Sequence, residues 1–134
     1  MKVYLTYKFK ETDPEEVKKK IQELSRVIED STGWKTFAFF RDVQKWQVGV
    51  MSIQEVVTKA MESIKECDAI IAESSEKSNG VYFEVGYAKA LGKKVIIIHK
   101  KGTEANFLES SADIKIEYDD LEDLKKKLKN TTKL

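Results

Sequence analysis

The sequence holds one cysteine and one histidine in 134 residues, and each scarcity closes off a class of function. A lone Cys67 can form no intrachain disulfide and no cysteine metal cluster. A lone His99 leaves a histidine-based metal site short of ligands, so no metal and no cofactor is expected. Charge of one sign is also missing, because 24 basic residues stand against 23 acidic ones. With no global field to attract a polyanion, no nucleic-acid partner is expected. No apolar run approaches the roughly 20 residues that span a bilayer, so none is expected to enter a membrane. The opening Met1-Lys2-Val3-Tyr4-Leu5 reads directly as a strand rather than as a secretion signal. The expected compartment is the cytoplasm, where the sequon Asn130-Thr131-Thr132 would stay unmodified. The length fits a single domain, 1–134, able to bury a core without covalent staples.

What is present is a clear alternation of strand and helix signals. Val3 to Tyr7 is a β-rich run. Asp13-Pro14-Glu15-Glu16 supplies an N-cap, a first-turn proline and early acids. Val17, Ile21, Leu24 and Ile28 then fall on one helical face until Ser31-Thr32-Gly33. Trp34 to Phe40 reads as a second strand, and Arg41 to Met51 as a long loop. Ser52-Ile53-Gln54-Glu55 is a capping box, followed by an apolar stripe at Ile53, Val56, Val57, Ala60 and Ile64. Ala69 to Ala72 reads as a buried third strand. A third helix runs from Gly80 to Gly92, and Val95 to Ile98 form a continuously apolar fourth strand. Ile114 to Tyr118 and a lysine-rich last helix complete the chain. This alternation predicts an α/β three-layer sandwich, flavodoxin-like or Rossmann-like, around a five-stranded, mainly parallel sheet in the order 2-1-3-4-5. Ligands of such sheets sit beyond the carboxyl ends of strands 1 and 3. The segments from Tyr7 to Glu11 and from Glu73 to Glu84 are therefore expected to line the site, with the loop after strand 2 folding over it.

The stretch Ser78-Asn79-Gly80-Val81-Tyr82-Phe83-Glu84 joins the third strand to a helix. Free N–H groups at a helix start, with the Ser78 hydroxyl and the bare backbone of Gly80, suit a phosphate or another anion. An ordinary helix cap would use the same residues. Glu84 can be read as a first-turn acid favoured by the helix dipole. Its apolar and small neighbours Tyr82, Phe83, Val85 and Gly86 fit a working carboxylate in a cleft instead.

Glu84-Val85-Gly86-Tyr87-Ala88, with Ala90-Leu91-Gly92-Lys93-Lys94 and the preceding Asp68 to Glu73 strand, resembles the central motif of nucleoside 2-deoxyribosyltransferases. It is similar also to that of the related 2'-deoxynucleoside 5'-monophosphate N-hydrolases. The resemblance is strong from Ile64 to Lys100 and looser elsewhere, where Val3-Tyr4-Leu5 and Ala105-Asn106-Phe107-Leu108 match. It implies cleavage of an N-glycosidic bond in a nucleoside or nucleoside monophosphate. Glu84 would be the nucleophile and would carry the sugar as an ester before water or a second base resolves it. Ser78 and the Gly80 N–H would hold a 5'-phosphate. Asn106 would reach into a neighbouring subunit's site, in a homodimer or larger assembly.

The departures from that family's pattern lie around the sugar and base. Where many members have a small-residue turn, this chain has Thr6-Tyr7-Lys8-Phe9, so Tyr7, Lys8 and Phe9 are candidate substrate contacts. The hydrolases' acid-base aspartate falls at Ala60, which carries no proton. Asp42 is the substitute candidate, with Tyr7 next. Trp46, an aromatic in a polar loop, is the candidate for stacking on a base. Two other readings compete. Arg41-Asp42, Gly49 and the Ser78–Glu84 spacing resemble a TIR domain, which implies NAD cleavage by the same glutamate. Loss of the helix-2 aspartate also fits a nucleotide sensor without catalysis.

Overall fold

The computed structural model describes residues 1–9, 12–104 and 106–131, with side chains throughout except at Asn106. The sequence order of elements is β1 (Lys2–Tyr7), α1 (Pro14–Thr32), β2 (Lys35–Ala38), α2 (Phe39–Asp42), α3 (Ile53–Lys65), β3 (Ala69–Glu73), α4 (Asn79–Ala90), β4 (Lys94–Lys100), α5 (Asn106–Glu109), β5 (Ile114–Tyr118) and α6 (Leu121–Thr131). The five strands are all parallel, in the expected order β2-β1-β3-β4-β5.

Local chemistry sets the element boundaries. The Asp13 side chain accepts the Glu15 N–H at 3.1 Å to start α1, with Pro14 in the first turn where its missing N–H costs nothing. Gly33 stops it at φ 75°, a left-handed cap that returns its N–H to Glu29. The reciprocal capping box of Ser52 and Glu55 starts α3. Each helix pair then covers one face of the sheet. Leu24 and Ile28 of α1, with Leu124 and Leu128 of α6, pack on Ile71 and Ile96. Ile64 of α3 and Val85 of α4 pack on Ile70 and Ile97 from the other side.

The middle of the chain departs from expectation at the end of the second strand. The second strand ends at Ala38 rather than Phe40, and the residues from Phe39 turn at once into the short helix α2. That helix occupies the start of the stretch expected to be all loop. The apolar stripe of α3 also does not sit wholly in the core. Ala60 and Ile64 are buried, whereas Ile53 is 83% exposed and Val57 lies beside it at the surface. The N-terminal half of α3 stands off the sheet, and the space left between them is where the site lies. No helix among the described residues is long and apolar enough to cross a membrane.

Candidate active site

A cavity of about 440 Å³ opens at the carboxyl end of β1, between that strand, α3 and the start of α4. Its walls are largely apolar, with Phe39, Met51, Val56 and Ala60 on the α3 side. Glu84 lies in its wall as the one carboxyl group among the described lining residues. The helix begins at Asn79, so Glu84 sits in the second turn of α4 and not in the first. The helix-start explanation for an acid here therefore loses its force, since dipole stabilisation fades beyond the first turn.

Two hydroxyls from β1 hold the carboxylate. The Thr6 Oγ1 donates to Oε1 of Glu84 at 2.6 Å, and the Tyr4 hydroxyl donates to Oε2. Tyr4 and Thr6 are two residues apart on a strand, so both side chains leave the same face of the sheet. Both are buried. Burial pushes the Glu84 carboxyl above its ordinary value, while the Thr6 and Tyr4 hydroxyls pull part of the way back. Burial and the facing Glu84 charge push the Tyr4 phenol well up, so it remains a donor throughout the working range. The result is a desolvated, oriented carboxylate facing an open cavity. Such a group can attack an electrophilic carbon.

The structure brings several expected site residues together and leaves others apart. Tyr7, Phe9, Ser78, Gly80 and Glu84 all line the cavity. Ser78 caps α4, its Oγ accepting the Val81 N–H at 3.4 Å. The N–H groups of Asn79 and Gly80 precede the intrahelical ladder and are free to meet an anion. A Cβ on Gly80 would meet only Ser78 Oγ at 3.8 Å, so the protein itself does not require a glycine. Room for a ligand is what the missing side chain leaves.

Lys8 turns away from this cavity and lies 3.9 Å from Glu76. Trp46 also points elsewhere. Its ring packs edge-on against Phe40 at 5.2 Å and carries the Lys18 ammonium 5.3 Å from its centroid. Lys45 and Trp46 both adopt positive φ, 53° and 64°, a strained path for residues with side chains. The Trp46 N–H donates to the Phe40 carbonyl at 2.8 Å and helps to fix that path. The side chain of Asn106 lies outside the described residues.

Asp42 is held in a structural knot outside the cavity lining. One oxygen accepts the Ala38 N–H at 2.9 Å and Arg41 Nη2 at 2.8 Å, and the other accepts Arg41 Nε at 3.0 Å. Burial alone would raise its pKa, but the Arg41 guanidinium and the Ala38 N–H outweigh it and hold the carboxyl low. A group so held keeps its negative charge and is a poor proton donor. Asp42→Asn should therefore lower stability by about 1–2 kcal/mol through the lost charge-assisted bonds. Turnover should stay within roughly threefold, less than 1 kcal/mol of barrier. Urea melts and steady-state rates on the same preparation check both.

Three contributors carried no flag in the sequence reading. Tyr4 and Thr6 hold the carboxylate, and Gln44 puts the one side-chain amide into the described cavity lining. A hydroxyl pair at spacing two in a buried strand is a signal that could have exposed the first two. Gln44 lies in an aperiodic segment and has none. Among the described residues, no three His, Cys, Asp or Glu side chains converge as metal ligands would.

Comparison with known proteins agrees with this geometry. The family model for nucleoside 2-deoxyribosyltransferase matches residues 7–125. The chain belongs to that family. Among solved structures, it is similar to the Clostridium botulinum CMP N-glycosidase BcmB at 26% identity, covering 96% of this chain and 98% of that one with a TM-score of 0.68. The 2-deoxyribosyltransferase of Bacillus psychrosaccharolyticus shares the fold at 22% identity and TM-score 0.70, with 93% and 90% of the two chains covered. A conserved protein of Enterococcus faecalis V583 shares it at 13% identity and TM-score 0.67, with 97% and 98% covered. No curated relative matches in sequence. Glu84, the one carboxyl group among the described lining residues, falls within the matched range.

Proposed function

We propose that the protein cleaves the N-glycosidic bond of a nucleoside 5'-monophosphate or nucleoside, with Glu84 as covalent nucleophile. The observation that carries this reading is the partly buried carboxylate gripped by Tyr4 and Thr6 at the wall of an open cavity. A Glu84 oxygen attacks the anomeric carbon as the bond to the base breaks, and the bonding pair departs with the base. The sugar is left as an ester on Glu84. Water, or a second base, then attacks the same carbon and releases the carboxylate. Tyr4 and Thr6 keep the attacking group in one rotamer, so little orientation remains to be found at the moment of reaction. In this reading Ser78 and the Gly80 N–H take the 5'-phosphate at the start of α4. Phe9 and Gln44 line the cavity, and in this reading they meet the sugar or base, the one by stacking and the other by hydrogen bonds.

The best substrate is found by chromatography of released base across deoxynucleosides, their monophosphates, ribonucleotides and NAD. With the best monophosphate in hand, Ser78→Ala should raise its KM about tenfold or more, the loss of a hydrogen bond to a charged group. The matching nucleoside should be affected far less. Equal effects on both would return Ser78 to a purely structural cap.

One observation favours a second reading. Ala60 lines the cavity, at the position that the resemblance gives to the hydrolases' acid-base aspartate. A leaving group that departs neutral needs no such acid, and the nicotinamide of NAD is of that kind. Nicotinamide release in the same screen would select it.

A homodimer is proposed as the working form. Phe83, Ile53 and Val57, which line the cavity, are exposed, as is Phe107 at 82%, beside Tyr82 of α4. Gly86 follows Phe83 on the same exposed face of α4, with nothing within 4 Å of an added Cβ. A glycine inside a helix costs about 1 kcal/mol, which close approach of a second helix would justify.

A further inference from the structure

A second pocket, of about 450 Å³, opens beyond the carboxyl ends of β1, β3 and β4, against α1. Tyr7 stands between it and the Glu84 cavity, lining both. Its walls gather Lys8, Lys20 and Lys100 with two acids, Glu73 and Glu76. Both acids have partners of their own, although those of Glu73 are neutral groups that leave its charge in place. Glu73 accepts the Ser75 N–H at 2.7 Å on one oxygen, and the Ser75 hydroxyl at 2.9 Å and the Tyr118 hydroxyl on the other. Glu76 faces Lys8.

That leaves Lys20 and Lys100, whose ammonium groups make no ion pair or hydrogen bond among the described residues. Lys20 is half-buried, projecting from the second turn of α1 under the pocket. Burial first, and the charge of Lys100 second, pull its pKa down, against the smaller opposing pull of Glu73 and Glu23. Lys100 is exposed and Lys20 half-buried, and as two like charges on the wall of one recess they repel each other; an anion between them relieves that repulsion. The volume is within the range of small-molecule sites and exceeds what a single ion fills.

We propose that this recess is a phosphate-binding site, with Lys20 and Lys100 as its ligands, distinct from the start of α4. The phosphate has two chemical sources: free phosphate or pyrophosphate, or the phosphate tail of a nucleotide whose sugar occupies the neighbouring cavity. The site is built from α1, β3 and β4 and does not depend on what Glu84 does.

Calorimetric titration with inorganic phosphate and pyrophosphate tests it, using the whole chain carrying Ser78→Ala so that the other candidate anion site is weakened. Saturable binding is expected in that protein. Adding Lys20→Met and Lys100→Met should weaken it at least tenfold, while Lys20→Arg with Lys100→Arg should preserve it. Lys115→Met with Lys126→Met, which removes the same charge from exposed positions, should leave it unchanged. Displacement of phosphate by a deoxynucleoside triphosphate but not by its monophosphate would assign the site to the outer phosphates of a nucleotide tail; phosphate and nucleotide binding side by side would assign it to a separate anion. Both results uphold the site. Absence of phosphate binding in the Ser78→Ala protein, or an equal loss with the control pair, would overturn it, and neither result touches the role of Glu84.

Discussion

Glu84→Gln is expected to abolish turnover, with a loss of at least about 10³-fold in kcat, some 4 kcal/mol of barrier. The amide keeps the shape of the side chain, so the cavity and its ligand affinity should survive. What disappears is the anionic oxygen. No other carboxyl among the described lining residues can replace it. Stability should move in the opposite direction. Burial lifts the Glu84 pKa in the folded protein, so the folded state binds a proton that the unfolded chain has already lost. The contribution of Glu84 to stability is therefore full below its unfolded pKa and is lost as pH rises through the folded one. Above that window Glu84→Gln should melt higher than the unsubstituted protein, and the gap should close on acidification. A rise in melting temperature joined to a loss of rate would mark a group kept for chemistry at the expense of the fold.

The second large effect is expected at Tyr4. Tyr4→Phe removes a hydrogen bond to a partly buried charge, worth roughly 1.5–3 kcal/mol, so kcat should fall about 10- to 100-fold. The pH profile separates this from a merely structural loss. Glu84 must be ionised to attack, so activity declines as pH falls through its pKa. The Tyr4 hydroxyl lowers that pKa, and its removal should move the acidic limb to higher pH. Thr6→Val should shift it in the same direction. An unmoved limb in both variants would mean that the β1 hydroxyls do not govern the ionisation of Glu84.

The sheet order could be read from the chain because each element announces itself locally. Asp13-Pro14 and Ser52 to Glu55 are caps, and β3 and β4 are apolar runs too short for anything but buried strands. The site was harder, since its parts come from distant segments. Glu84 was visible through its motif, but its grip by Tyr4 and Thr6 depends on β1 and α4 meeting 78 residues apart. The α3 stripe has the same periodicity whether it faces a core or a cavity, and only the packing decides. Phe39 and Phe40 have high strand preference, yet Asp42 accepts the Ala38 N–H and the chain turns into a helix there instead. Trp46 looked available because its loop neighbours are polar, and tertiary contact with Phe40 and Lys18 claimed it. Asp42 was visible as an acid, whereas its capture by the adjacent Arg41 needed the turn of α2 to bring them face to face.

The central claim is that a sugar becomes bonded to Glu84 during turnover. Enzyme quenched in acid while consuming its best substrate, digested and examined by mass spectrometry, measures this directly. A mass increase equal to the sugar, or the sugar phosphate, on the peptide carrying Glu84 is the result expected, and it should be absent from Glu84→Gln. Full turnover by Glu84→Gln, or an adduct confined to another residue, would contradict the mechanism and leave Glu84 as a buried acid that shapes the cavity without attacking what enters it.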